Sequence, residues 1–285
     1  MPGLIKYIRT NIQSFDAVIT SEVFSVNSLL CVLLCNDKTI IWHELAKHQS
    51  MMKKIPSKCW YNIIARFFMR KTAVVARSIE AKKFIEKYCP KTEETVIEHG
   101  VNLLKFRIVA EKEDIFVVCS QLIQRKRIEG ILQKYKDYLE NTGYTTELII
   151  IGDGDKKTEL EAQAKYLDVD SKVKFTGKLD HVDMIPILAR AKAMLINTEK
   201  DNSMISIIES IACGTPVITT EVPLNASYIR TNNLGIVGNW DWKDLKQIVE
   251  NQAYYASNCN AYRDSLSTKK KVRDFIDIIN NNMQN

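Results

Sequence analysis

The sequence predicts an α/β protein built on parallel sheets, and three observations carry that prediction. From Ile115 to Thr219, short apolar runs alternate with stretches of helical period. The runs, such as IFVVC and ELIII, are apolar at nearly every position instead of every second one. Strands covered on both faces read that way, and strand–helix alternation puts helices over both faces of a parallel sheet. Finally, 46% of the 285 residues are hydrophobic, ample for a packed core in one large or two small domains.

The elements follow in order. Residues 1–15 are amphipathic and read as a helix, Asp16–Thr20 as a strand, Val26–Cys35 as a buried helix and Thr39–Trp42 as a strand ending at His43. Trp60–Arg70 is an aromatic helix, Thr72–Ala76 a strand, Ser78–Tyr88 a helix capped by Ser78, and Thr95–Glu98 a last strand. Residues 107–114, RIVAEKED, are polar and read as a linker. The regular alternation then begins. It runs through strands at 115–120, 147–151, 172–175, 193–197 and 216–219, with helices at 129–140, 156–167, 182–191 and 205–213 between them. The predicted domains are 1–106, a doubly wound 107–255, and a helical 256–285 that packs back toward the first domain.

Net charge is +6, and residues 1–106 alone carry an excess of seven cations. Either an anionic partner or a solvated basic face accounts for it. The seven cysteines are odd in number and several sit in apolar runs, which fits reduced thiols in the cytosol. No signal peptide is expected, and no apolar run reaches the ~18 residues of a membrane span. Asn225-Ala226-Ser227 matches a glycosylation acceptor that is expected to stay idle.

His43-Glu44-Leu45-Ala46-Lys47-His48 is not a zinc helix. Its histidines are five apart, and on a helix that turns the rings about 140° from each other. Gly152-Asp153-Gly154 lacks the third glycine of a dinucleotide fingerprint and reads as a tight strand–helix turn. His181 reads as a surface residue at a helix start. Ser120–Arg127 ends in Arg125-Lys126-Arg127 straight after a buried strand, which suits either a diphosphate or a solvated loop. The sharpest pair is Asp201 and Glu209, on a strand–loop–helix unit that runs into Gly214-Thr215-Pro216. Glu209 stands in an otherwise apolar helix and needs a partner, which two sugar hydroxyls would supply. The backbone amides of Ser203, Met204 and Ile205 open that helix and offer an anion site.

Taken in order, five segments resemble the retaining nucleotide-sugar glycosyltransferases of GT-B fold, glycosyltransferase family 4. They are His99–Phe106, Ser120–Lys126, Glu147–Gly154, Val173–Gly177 and Asp201–Glu209 with Ile211–Val217, the last resembling the family's E-x7-E motif. The resemblance implies two Rossmann-like domains facing a cleft, with the donor on the C-terminal one. It implies that Glu209 binds the ribose hydroxyls and that Asp201 lies beside the donor sugar. Lys126 would bind the diphosphate and stabilise the leaving group, and Phe175, Thr176 and Gly177 would border the base. His43 would face the donor sugar across the cleft. No metal is expected, since cations and helix N-termini neutralise the phosphates, and no nucleic acid partner is expected.

The departures are specific. Asp201 replaces a Glu, and Gln121 stands where an Arg is usual, with Arg125 or Arg127 as its substitute. Glu221–Ser227 stands where a Gly-Gly is usual. The first domain is shorter than the family's and lacks a counterpart of its Gly-rich loop. A natural short form, a partner protein completing that domain, or an inactive remnant would each explain this. A nucleotide-sugar-binding subunit is therefore the rival expectation, and a sugar-phosphate epimerase a distant third. Residues 53–71 mix Lys and Arg with Trp, Tyr and Phe, either for a membrane interface at the inner face or for packing on the first sheet.

Overall fold

The computed structural model describes residues 2–48, 54–109 and 111–283, so Lys53, part of the expected basic segment, lies outside them. The chain divides into two compact units, residues 1–98 with 271–285, and residues 99–270.

The first unit begins with α1 (Pro2–Asn11), β1 (Val18–Ser21), α2 (Val26–Cys35) and β2 (Thr39–His43). α3 (Ile55–Cys59), a π-helical turn (Trp60–Ala65) and α4 (Arg66–Phe68) then run on as one helical stretch. β3 (Ala73–Ala76) and α5 (Ile79–Ile85) follow, and the Ser78 hydroxyl caps α5 by accepting from Ala81 N–H at 3.0 Å. The three strands pair in parallel in the order β1-β2-β3. Tyr61, Ala65 and Met69 turn one face of the helical stretch into the core around Ile41 and Val74. The expected strand at Thr95–Glu98 does not form. Residues 91–97 instead follow the open edge of β3, through Lys91 O, Glu93 N–H and Ile97 N–H, with a single bridge at Thr92. These irregular contacts satisfy the backbone of β3 without a regular ladder.

The second unit contains β4 (Ile115–Cys119), α6 (Ile128–Thr142), β5 (Glu147–Ile151), α7 (Lys157–Tyr166) and β6 (Val173–Gly177). α8 (His181–Arg190), β7 (Ala193–Leu195), α9 (Ile205–Ala212) and β8 (Val217–Thr219) come next. Three elements that the sequence reading did not identify complete the sheet side: α10 (Ala226–Thr231), β9 (Gly235–Val237) and α11 (Trp242–Glu250). α12 (Gln252–Tyr262) and α13 (Thr268–Met283) close the chain. The six strands are all parallel, in the order β6-β5-β4-β7-β8-β9. The chain moves outward from β4 to β6, then returns to β7 on the other side of β4. The switch point therefore falls between the carboxyl ends of β4 and β7, where open α/β sheets bind ligands. His99–Phe106 packs within this unit: Val101 bonds to Leu266 and Thr268, and Arg263 donates to Leu103 O and Phe106 O.

The last helix carries its residues from Lys271 into the first unit. There Phe275 meets Trp42 edge-on, with ring centroids 5.5 Å apart, and Ile278 joins the cluster of Ile40, Val75 and Ile97.

Candidate active site

Two loops meet at the switch point because glycines let a third approach. After β5, Gly152 has φ +143, and a Cβ there would lie 1.8 Å from Ser120 O. A Cβ on Gly154 would lie 2.3 Å from Leu122 O. Without those side chains, Leu122 N–H donates to Asp153 O and Lys156 N–H to Leu122 O, at 2.9 and 3.0 Å. The two glycines thus serve loop-to-loop contact, in keeping with a tight turn in place of a dinucleotide fingerprint. The loop after β4 is held in turn by the loop after β7. Glu199 N–H and the Thr198 hydroxyl donate to Arg125 O, and Asn197 Nδ2 donates to Arg127 O.

This stitching brings Arg125 and Lys126 onto Asp201. Arg125 Nη1 donates to Oδ1, while Lys126 Nζ and the Thr198 hydroxyl donate to Oδ2, all at 2.7 Å. Burial alone would raise the Asp201 carboxyl. Hydrogen bonds from Lys126, Thr198 and Arg125 outweigh it, and the net shift is downward. Asp201 is thus an anchored carboxylate between two cations. Lys126 is itself almost buried, and an ammonium has three donors, so one bond to Asp201 does not exhaust it.

Glu209 lies on α9 among Ile207, Ile208 and Ile211, and is only 6% exposed. The expected partner was a ligand hydroxyl. Within the protein the partner is His181, whose Nε2 sits 2.8 Å from Glu209 Oε1. Burial raises the Glu209 carboxyl, against the hydrogen bond from His181. The sequence alone places His181 at the surface. It is indeed exposed, but it opens α8 beside the acid of another helix, a pairing across 28 residues that no local pattern shows.

The helix-start amides need correcting. Met204 N–H donates to Asn225 Oδ1 at 2.6 Å, so an internal cap uses the donor assigned to an anion. α9 has no side-chain cap from its own Met204, and Asn225 fills that role from beyond β8. Ser203 and Ile205 flank the capped position. Phe175, Thr176 and Gly177 end β6 half-buried, with Gly177 O accepting from Gly152 N–H at 2.9 Å. The Thr176 hydroxyl turns onto Gly177 O, also at 2.9 Å. Gln121 is exposed just after β4.

His43 belongs to the first unit, at the end of β2, and is fully buried. Its Nδ1 lies 2.9 Å from Glu22 Oε2, closer than the 3.4 Å to Val23 N. Val23 N–H donates to Nδ1, so the nitrogen facing Glu22 acts as an acceptor. Nε2 is buried with no hydrogen-bond partner among the described residues, and Phe84 stacks over the ring. A cavity of 380 Å³ also lies in the first unit, lined by Leu4, Tyr7, Ile12, Val18 and Cys31 among others. It has no charged side chain in its lining, so the chemistry is assigned to the switch point instead.

A family model described as glycosyl transferases group 1 matches residues 103–253, more than half of the chain. N-acetyl-alpha-D-glucosaminyl L-malate synthase of Bacillus anthracis is 30% identical over 114 residues, 40% of this chain and 29% of that protein. Lipopolysaccharide glucosyltransferase WaaG of Escherichia coli is 28% identical over 180 residues, 59% of this chain and 47% of that one. The matched region thus spans less than half the length of these curated relatives. Among solved structures, Anabaena HepE in complex with UDP superposes with a TM-score of 0.75 at 16% identity, covering 98% of this chain and 82% of that one. A Rickettsia africae glycosyltransferase superposes at 0.74 and 15%, covering 99% and 81%. At such identities the likeness shows the fold, an α/β fold of GT-B type over nearly the whole chain.

Proposed function

The chain belongs to the glycosyl transferases group 1 family, and we propose that it moves a sugar from a nucleotide-diphosphate sugar to a glycan or lipid-linked acceptor with retention of anomeric configuration. The observation that carries this reading is the convergence of Arg125 and Lys126 on one point at the switch of the sheet. A diphosphate arriving there meets two cations already held in place. In the proposed roles, Lys126 and Arg125 neutralise the leaving diphosphate as its charge grows. Asp201 anchors those cations and borders the donor sugar. Glu209 accepts the ribose hydroxyls, while Phe175, Thr176 and Gly177 border the base and Gln121, Ser203 and Ile205 line the phosphates. The proposal needs no metal, so transfer should persist in EDTA. NMR of the product tests the reading: an axial anomeric bond from an axial donor is expected, and an inverted product or no transfer overturns it.

A second reading, a nucleotide-sugar-binding subunit that needs a protein partner, draws on Asp201 and His43. Asp201 already pairs with both cations within the chain, and His43 is sealed from solvent. Donor binding without transfer, restored by a partner protein, would favour it.

We also propose peripheral contact with an anionic membrane at the cytoplasmic face. Among the described residues no helix is long and apolar enough to cross a bilayer. The helical stretch after Lys54 exposes Ile63, Phe67 and Phe68, with Phe67 74% exposed, next to exposed Lys58, Arg66 and Arg70. Exposed aromatics beside cations suit the headgroup boundary. Replacing Phe67 and Phe68 by Glu should lower binding to phosphatidylglycerol vesicles roughly 10-fold or more, since burying one Phe contributes about 1.5–3 kcal/mol. Unchanged cosedimentation would remove the membrane contact from the account.

A further inference from the structure

We propose that His181 is a positioning residue that pins Glu209, so that the site distinguishes a ribonucleotide from its 2′-deoxy counterpart. The inference rests on the reading of Glu209 as the ribose-binding acid. Glu209 projects from a helix whose neighbours Ile207, Ile208 and Ile211 are fully buried. No apolar neighbour can fix the rotation of a carboxylate. His181 Nε2 does so, through a 2.8 Å contact to Oε1 alone.

A carboxylate offers about four lone-pair sites. With one site on Oε1 taken, Oε2 is presented in a fixed place to a hydroxyl. His181 is 67% exposed in its side chain while Glu209 is 8%. The imidazole therefore adds little buried area to the core, and a role in core packing does not account for it. Its position adds a second argument. His181 begins α8, four residues after Gly177, the last residue of the segment proposed to border the base. The contact ties the base-side loop to the ribose-side acid.

The test measures affinity for UDP, GDP and ADP and for the 2′-deoxy form of whichever binds best. The wild type should prefer the ribonucleotide by roughly 10-fold or more, because a site built to bond a hydroxyl is left with an unpaired group by the analogue. His181→Ala should bring that preference close to parity with an unchanged melting temperature. His181→Gln, whose amide nitrogen also donates, should restore most of it. Full discrimination in His181→Ala overturns the role of His181. Absence of discrimination in the wild type overturns the ribose reading of Glu209 beneath it.

Discussion

Replacing Glu209 by Ala should lower sugar transfer by a factor of about 10²–10⁴, with the loss falling on the donor's KM. Two ribose hydroxyls bonded to a carboxylate contribute about 1.5–3 kcal/mol each, and each 1.4 kcal/mol is a factor of ten. The fold should not suffer. Burial raises the Glu209 carboxyl above its usual 4.5. An acid raised in the fold binds more protons there than when unfolded, so stability falls as pH rises through that window. At neutral pH the charged Glu209 therefore costs stability, and Glu209→Ala should melt at or above the wild-type temperature. A variant that melts early would mean that the acid is part of the scaffold. A soluble variant with normal turnover would remove Glu209 from the donor site.

Lys126→Ala should lose transfer by about 10²–10³, the cost of removing one preorganised group that stabilises transition-state charge. Unlike Glu209→Ala it should also destabilise the fold, by about 3 kcal/mol. Lys126 and Asp201 are both nearly buried, with side chains 10% and 13% exposed, and removing one partner leaves the other charge poorly compensated. Arg125 and Thr198 remain on Asp201 and limit the loss. Adding Asp201→Asn to Lys126→Ala should therefore recover part of the stability.

The pH dependence has a definite sign. The Asp201 carboxyl is shifted below its usual 3.8, so its contribution is present above that value and is lost as pH falls through the lower, folded one. The stability gap between wild type and Lys126→Ala should narrow in the same acid range. A gap independent of pH would mean that the destabilisation comes from lost packing instead.

Much of the fold was legible because its cause is local. Strands that read IFVVC or AML carry their burial in their own composition, and Ser78 announces its cap immediately before the chain enters α5. What escaped depends on distant partners or on weak local patterns. β9 is three residues long and joins the sheet through its register with β8. α11 had a readable signal, the reciprocal cap between Asp241 and Asp244. Thr95–Glu98 reads as a strand by composition, yet it bonds to the sheet through Ile97 without forming a ladder. At the site, the sequence pointed to the acids and the cations but not to who holds them. Asp201 pairs with residues 75 and 76 positions away. The amide of Met204 goes to an Asn beyond the next strand. Spacing along a helix cannot reveal such pairings: the first depends on the switch between β4 and β7, the second on the pairing of β7 with β8.

Every role proposed for the site requires the second unit to bind the diphosphate of a nucleotide sugar at that switch. Calorimetric titration of the intact wild-type protein with UDP, GDP and ADP in EDTA tests it most directly. Saturable, one-to-one binding of at least one of them, weakened by Lys126→Ala, is the expected result. No binding by any of the three, or equal binding by Lys126→Ala, would contradict it.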